Sequence, residues 1–101
     1  MPLNKEDLNG LFRAWHDEVR NIYTLFSVKH KSYGPDNISG TGIQGVVIRS
    51  WDKINRLRRL VVTGIDDPLV DESVEDTLMD LANYAIIGLL LLHNIWPEFE
   101  E

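Results

Sequence analysis

Glu72, Asp76 and Asp80 stand four residues apart, and Asn83 follows at helical pitch. On a helix the four share one ridge, and each like-charged neighbour at that spacing costs a few tenths of a kcal/mol. Such a row calls for compensating charge. One source is a divalent cation, because Mg²⁺ is commonly held by one or two carboxylates together with substrate phosphates. The other source is in the chain itself. Arg49, Lys53 and Arg56 fall within an arc of about 60° on a second helix. Packed on the acids they would form an interhelical ion network. Left accessible they would bind phosphate directly through charge-assisted hydrogen bonds.

Other chemistries find less support. His16, His30 and His93 lack the i, i+4 pairing of a zinc helix, so they read as surface or core residues. No G-x-S-x-G elbow, Walker A sequence or dinucleotide fingerprint occurs, and "GTGIQG" lacks the preceding strand and the lysine that would give it meaning. There is no cysteine, which removes disulfides and thiolate metal sites and suits a reducing compartment.

Three helices must position these ridges. Asn4 to Val28 forms the first, with Asn4 as cap and Leu8, Leu11, Phe12, Trp15, Val19, Ile22, Tyr23 and Phe26 at three- and four-residue spacing. Arg13, Asp17 and Arg20 make its solvated face. "HKSYGPDNISGTGIQG", His30 to Gly45, carries four glycines and a proline and reads as a loop holding Lys31 and Tyr33. The second helix spans Ile43 to Val62, with Val47, Trp51, Ile54, Leu57 and Val61 on one face and the basic ridge turned away from it. Gly64 and Pro68 break the chain, and a third helix runs from about Asp71 to Ile95, where Trp96-Pro97 ends it. Trp15, Trp51 and Trp96 at helical positions are expected in the core.

The second half of the last helix, "YAIIGLLLL", is apolar all round and must be covered on every side. Two other helices are too few to do so. The expected architecture is therefore all-α, one domain over residues 1–101, a three-helix antiparallel bundle completed by oligomerisation. A hydrophobic share of 44% with 26% charged residues fits a folded globular chain. The net charge of −6 makes duplex nucleic acid a poor partner. The longest apolar run, Ala85 to Leu92, falls well short of the ~20 residues that span a bilayer, and MPLNKEDLNG has no signal core. A soluble cytoplasmic protein without a membrane partner is expected.

The strings "HKSYG", "GVVIRSWDKINRLRRL" and "DESVEDTLMDLANYAIIG" resemble the nucleotide-modification-associated domain family of phages and bacteria. The residues that carry the resemblance are Lys31, Tyr33, Gly34, Arg49, Asp52, Lys53, Arg56, Leu57, Glu72, Asp76, Asp80, Asn83 and Tyr84. It implies an all-helical protein of phage nucleotide metabolism, distantly similar to the all-α nucleoside triphosphate pyrophosphatases of the MazG and dimeric dUTPase kind. Those enzymes hold Mg²⁺ with acids from two neighbouring helices. Here the helix that should supply the second set presents Arg49, Lys53 and Arg56 instead, with Asp52 its one nearby carboxylate.

The expected function is accordingly capture of a small nucleotide, or of a nucleotide-derived immune signal, by a sponge-like homo-oligomer rather than an enzyme. Lys31, Arg49, Lys53 and Arg56 would take the phosphates, Tyr33, Trp51 or Tyr84 would stack on the base, and Asp76, Asp80 and Asn83 would orient the cations or read donors. No cofactor is then needed. The alternative is a Mg²⁺-dependent pyrophosphatase using Glu72, Asp76 and Asp80, with Glu18 or another first-helix acid completing the cage. A second alternative is a non-catalytic structural or adaptor protein whose charged ridges form an inert network.

Overall fold

The computed structural model of the chain describes residues 7–62 and 68–97, with side chains at all of these except 33, 36–37 and 68–72. Three long helices, α1 (Leu8–Tyr33), α3 (Gly42–Leu57) and α4 (Pro68–Leu92), are joined by a short α2 (Asp36–Ser39). A π-helical turn at Arg58–Val62 continues α3. No strand occurs among the described residues. Ile22 and Lys29 of α1 meet Asn83 and Asp80 of α4, and Phe26 and His30 meet Trp96 just beyond the end of α4, so the C-terminal half of α1 crosses α4. Lys53 of α3 meets the same Asp80, while Ile43 and Val46 lie beside Gly88, so α3 is antiparallel to α4. The all-helical class and the three long helices are as expected.

Element ends follow from local chemistry. Helix α1 continues past the expected end at Val28 because no breaker occurs before Gly34-Pro35. The residue before a proline is pushed to extended ψ, and Gly34 takes φ 73° and ψ 176°, a conformation open essentially to glycine alone. The expected loop from His30 to Gly45 is therefore mostly helix, comprising the last turn of α1, α2 and the first turn of α3. Asn4, the expected cap of α1, lies outside the described residues, and α1 begins at Leu8.

At its far end α4 closes in a Schellman turn. Asn94 adopts φ 56°, Ile95 N–H donates to the Leu90 carbonyl at 2.8 Å, and Asn94 N–H donates to that of Leu91 at 3.1 Å. This reversal sends Trp96 back over the bundle, where its indole N–H donates to the Pro35 carbonyl. The same carbonyl accepts from the backbone N–H groups of Ile38 and Ser39 and from the Ser39 hydroxyl. One acceptor thus pins the α1–α2 corner to the C-terminal hook.

The core is small. Ile38, Val46, Ile87 and Trp96 are buried, with Phe26, Tyr84, Leu90 and Leu91 packed against them. Helix α3 turns toward α4 a face other than the expected apolar one: Gly45 and Val46 are buried and Lys53 and Leu57 half-buried, whereas Val47, Trp51, Ile54 and Val61 are exposed. The physical reason is the pairing of Lys53 with Asp80, which orients the helix by its charge. Of the three tryptophans expected in the core only Trp96 enters it, at 8% exposure; Trp15 and Trp51 stand at 68% and 67%.

Because Trp96 is one of so few buried residues, Trp96→Ala is expected to cost about 3–5 kcal/mol in urea denaturation followed by circular dichroism, close to the whole stability margin of a small domain. Trp96→Phe keeps an aromatic ring and loses one N–H···O bond, so about 1 kcal/mol is expected by the same measurement.

Candidate functional site

The three long helices splay around a cleft of roughly 280 Å³ whose lining comes from all four α-helices and the C-terminal hook. Part of the lining is charged and polar: Lys29 from α1, Arg49 and Lys53 from α3, Asp80 and Asn83 from α4. Another part is aromatic, formed by Phe26, His30, Tyr84 and Trp96. Ile38 and Ile87, both buried, complete it.

Asp80 organises the charged part. Its side chain is 13% exposed, and its two oxygens are divided between Lys29 and Lys53, the latter at 3.0 Å. Burial alone would push this carboxyl up. The hydrogen bonds from Lys29 and Lys53 and the charges of both ammonium groups outweigh burial and hold it below the ordinary value of 3.8. Three residues on, Asn83 is buried and donates through Nδ2 to the Ile22 carbonyl at 3.2 Å. Six positions before it, Thr77 is buried with its hydroxyl on the Ser73 carbonyl at 2.6 Å. The polar face of α4 is thus satisfied within the bundle.

The aromatic part is a cluster with defined ring geometry. Phe26 stacks on His30 at a centroid separation of 5.3 Å, and the indole of Trp96 meets both rings edge-on, at 6.1 Å from Phe26 and 5.8 Å from His30. Edge-to-face contacts of this kind fix ring planes as well as positions. What the two parts can do together is receive an anionic group and a flat apolar group.

Of the residues singled out from the sequence, the fold brings Arg49, Lys53, Asp80, Asn83 and Tyr84 into the cleft. It does not bring Lys31, Arg56 or Asp76 there; all three are exposed and absent from the lining. Trp51 points away on the uncovered side of α3. The side chains of Tyr33 and Glu72 lie outside the described residues. Among the described residues no three histidine or carboxylate side chains converge as a metal site would require. Phe26 and Trp96 were expected only as apolar packing, and Lys29 and His30 were not assigned to a site. Ending the first helix at Val28 hid the latter two: at 100° per residue His30 continues the stripe that holds Phe26, with Lys29 on its flank.

The family model described as nucleotide modification associated domain 1 matches residues 44–92, just under half of the chain. No curated protein and no solved structure gives a match. The matched stretch covers α3 from Gln44, the π-helical turn and all of α4. It therefore supplies Arg49, Lys53, Asp80, Asn83 and Tyr84, whereas Phe26, Lys29, His30 and Trp96 come from outside it. Lys31 and Tyr33 also fall outside the match.

The lowered pKa of Asp80 fixes a pH dependence. In the unfolded chain the carboxyl takes up its proton first as pH falls, so the stability that Asp80 contributes is complete above about pH 5 and is lost as pH drops below about 4 toward the still lower folded value. Asp80→Asn is expected to cost about 1–3 kcal/mol at pH 7. In urea denaturation repeated down the acid range, the gap between variant and wild type should shrink below pH 4.

Proposed function

We propose that the protein is a homo-oligomeric nucleotide-binding protein that captures a small nucleotide, or a signal derived from one, and holds it without hydrolysis. The observation that carries this reading is the cleft itself: three cations, one carboxylate and four aromatic rings share its lining, in a chain of net charge −6. A concentration of positive charge so at odds with the whole molecule attracts anions to one place. The guanidinium of Arg49 has the planar geometry that suits phosphate oxygens, and Lys53, held on Asp80, adds positive charge in the same lining. The aromatic rings supply stacking surface for a base, worth about 1–3 kcal/mol per base. The match to a nucleotide modification associated family over residues 44–92 agrees with this class of ligand.

Size narrows the ligand. At roughly 280 Å³ the space sits at the lower edge of the ~300–1,000 Å³ usual for small-molecule sites. It suits one nucleotide unit, alone or as one half of a larger ligand. Binding is preferred to pyrophosphatase chemistry because a metal-dependent hydrolase gathers carboxylates to hold its cations, and the lining carries a single carboxylate already engaged by two lysines. In the phage setting that the resemblance implies, such a protein works as a sponge for a nucleotide signal.

Calorimetry and thermal-shift assays with mononucleotides and cyclic dinucleotides, with and without Mg²⁺, test the reading. A rise in melting temperature by mass action is expected, with affinity falling as salt is raised. Arg49→Ala should weaken binding at least tenfold, about 1.4 kcal/mol; Arg49→Lys should recover part of it, and Arg56→Ala should leave affinity within twofold. Release of pyrophosphate from the bound nucleotide would replace this reading with the enzymatic one. Absence of any shift across the panel would leave the adaptor alternative.

A further inference from the structure

Among the apolar side chains left uncovered on the described residues, which include Ile86, Leu89 and Leu92 of α4, two stripes match each other in length. The first runs along the N-terminal half of α1 through Leu8, Leu11, Phe12, Trp15 and Val19, all exposed. It is the direct continuation of the stripe whose C-terminal half, Ile22 and Phe26, is half-buried beside α4. The second runs along α3 through Ile43, Val47, Trp51 and Ile54, also exposed. Each stripe is roughly 16 Å long at 1.5 Å per residue. Each has a tryptophan, the residue type most enriched at the energetic centres of interfaces.

The surface of the molecule says how much must be covered. A folded monomer of 11.6 kDa should expose about 5,800 Å², and this chain exposes 8300 Å². Even half of that excess is more than the ~800 Å² per partner of a standard interface, and the whole of it reaches the obligate class. The radius of gyration points the same way, at 16.2 Å against about 13 Å for a compact chain of this length.

We infer that a second copy of this chain is the occupant, docked so that the α1 stripe of each copy lies on the α3 stripe of the other. A two-fold arrangement of this reciprocal kind covers both stripes with a single contact. Pairing α1 with α1 would leave Val47, Trp51 and Ile54 in water. The inference rests on the oligomeric part of the proposed function and is independent of its ligand.

The absence of cysteine makes a clean test available. Light scattering on the wild type at tens of micromolar should give a mass at least twice that of one chain, and Trp51→Glu should lower it to that of the monomer. A monomeric wild type overturns both the assembly and this interface. Trp15→Cys protein is then mixed, under mild oxidation, with Val47→Cys protein and separately with Trp51→Cys protein. A mixed disulfide in either mixture, in excess over each variant's disulfide with itself, is the expected result. Dominance of Trp15→Cys self-disulfides would overturn the α1-on-α3 pairing while leaving assembly, and the nucleotide reading, standing.

Discussion

A single carboxylate holds the three helices together. Asp80 accepts from Lys29 of α1 and from Lys53 of α3, so the side chain that projects from the middle of α4 fixes the rotation of both neighbours. Breaking such a pair by removing one partner strands charge in a poorly hydrated place, and this penalty exceeds the net worth of the pair itself. Helix α3 carries an apolar stripe that would serve as a core face, yet it presents Val46, Lys53 and Leu57 to α4 and leaves Val47, Trp51 and Ile54 outside.

The same constraint makes a cleft. Two lysines drawn to a common acid bring positive charge inward, and Arg49, one turn before Lys53 on α3, joins them in the lining. The aromatic side is then built from distant parts of the chain: Phe26 and His30 from α1, Tyr84 from α4, and Trp96 from the hook that the Schellman turn at Asn94 directs back over the bundle. Charge and stacking surface meet because the backbone turn carries Trp96 back from the end of α4 toward the electrostatic tie. The family match takes in most of the charged part of the lining and little of the aromatic one.

Much of the fold was legible in the residues themselves. The periodicity of α1, the breaker at Pro68 and the end at Trp96-Pro97 place the three helices within a few residues, and the juxtaposition of Lys53 with Asp80 follows from two ridges of opposite sign. What the pattern could not show was which face of α3 turns inward. Hydrophobic period identifies a stripe but not its partner, and a stripe reserved for another surface looks the same as one for the chain's own core. The glycines between Gly34 and Gly45 misled in a different way. Only Gly34 is needed to end a helix, at φ 73°, and Gly45 sits buried within α3. Reading the cluster as one loop removed Lys29 and His30 from the helical register that puts them in the cleft.

The Pro35 carbonyl, gathering the Trp96 indole together with the Ile38 and Ser39 donors, sets the spacing between hook and corner by main-chain geometry. Lining side chains outside these ties can therefore change without moving the hook from the corner. A lineage carrying this scaffold is free to exchange the chemistry it recognises at such positions, while Lys29, Lys53, Asp80 and Trp96 keep the aperture.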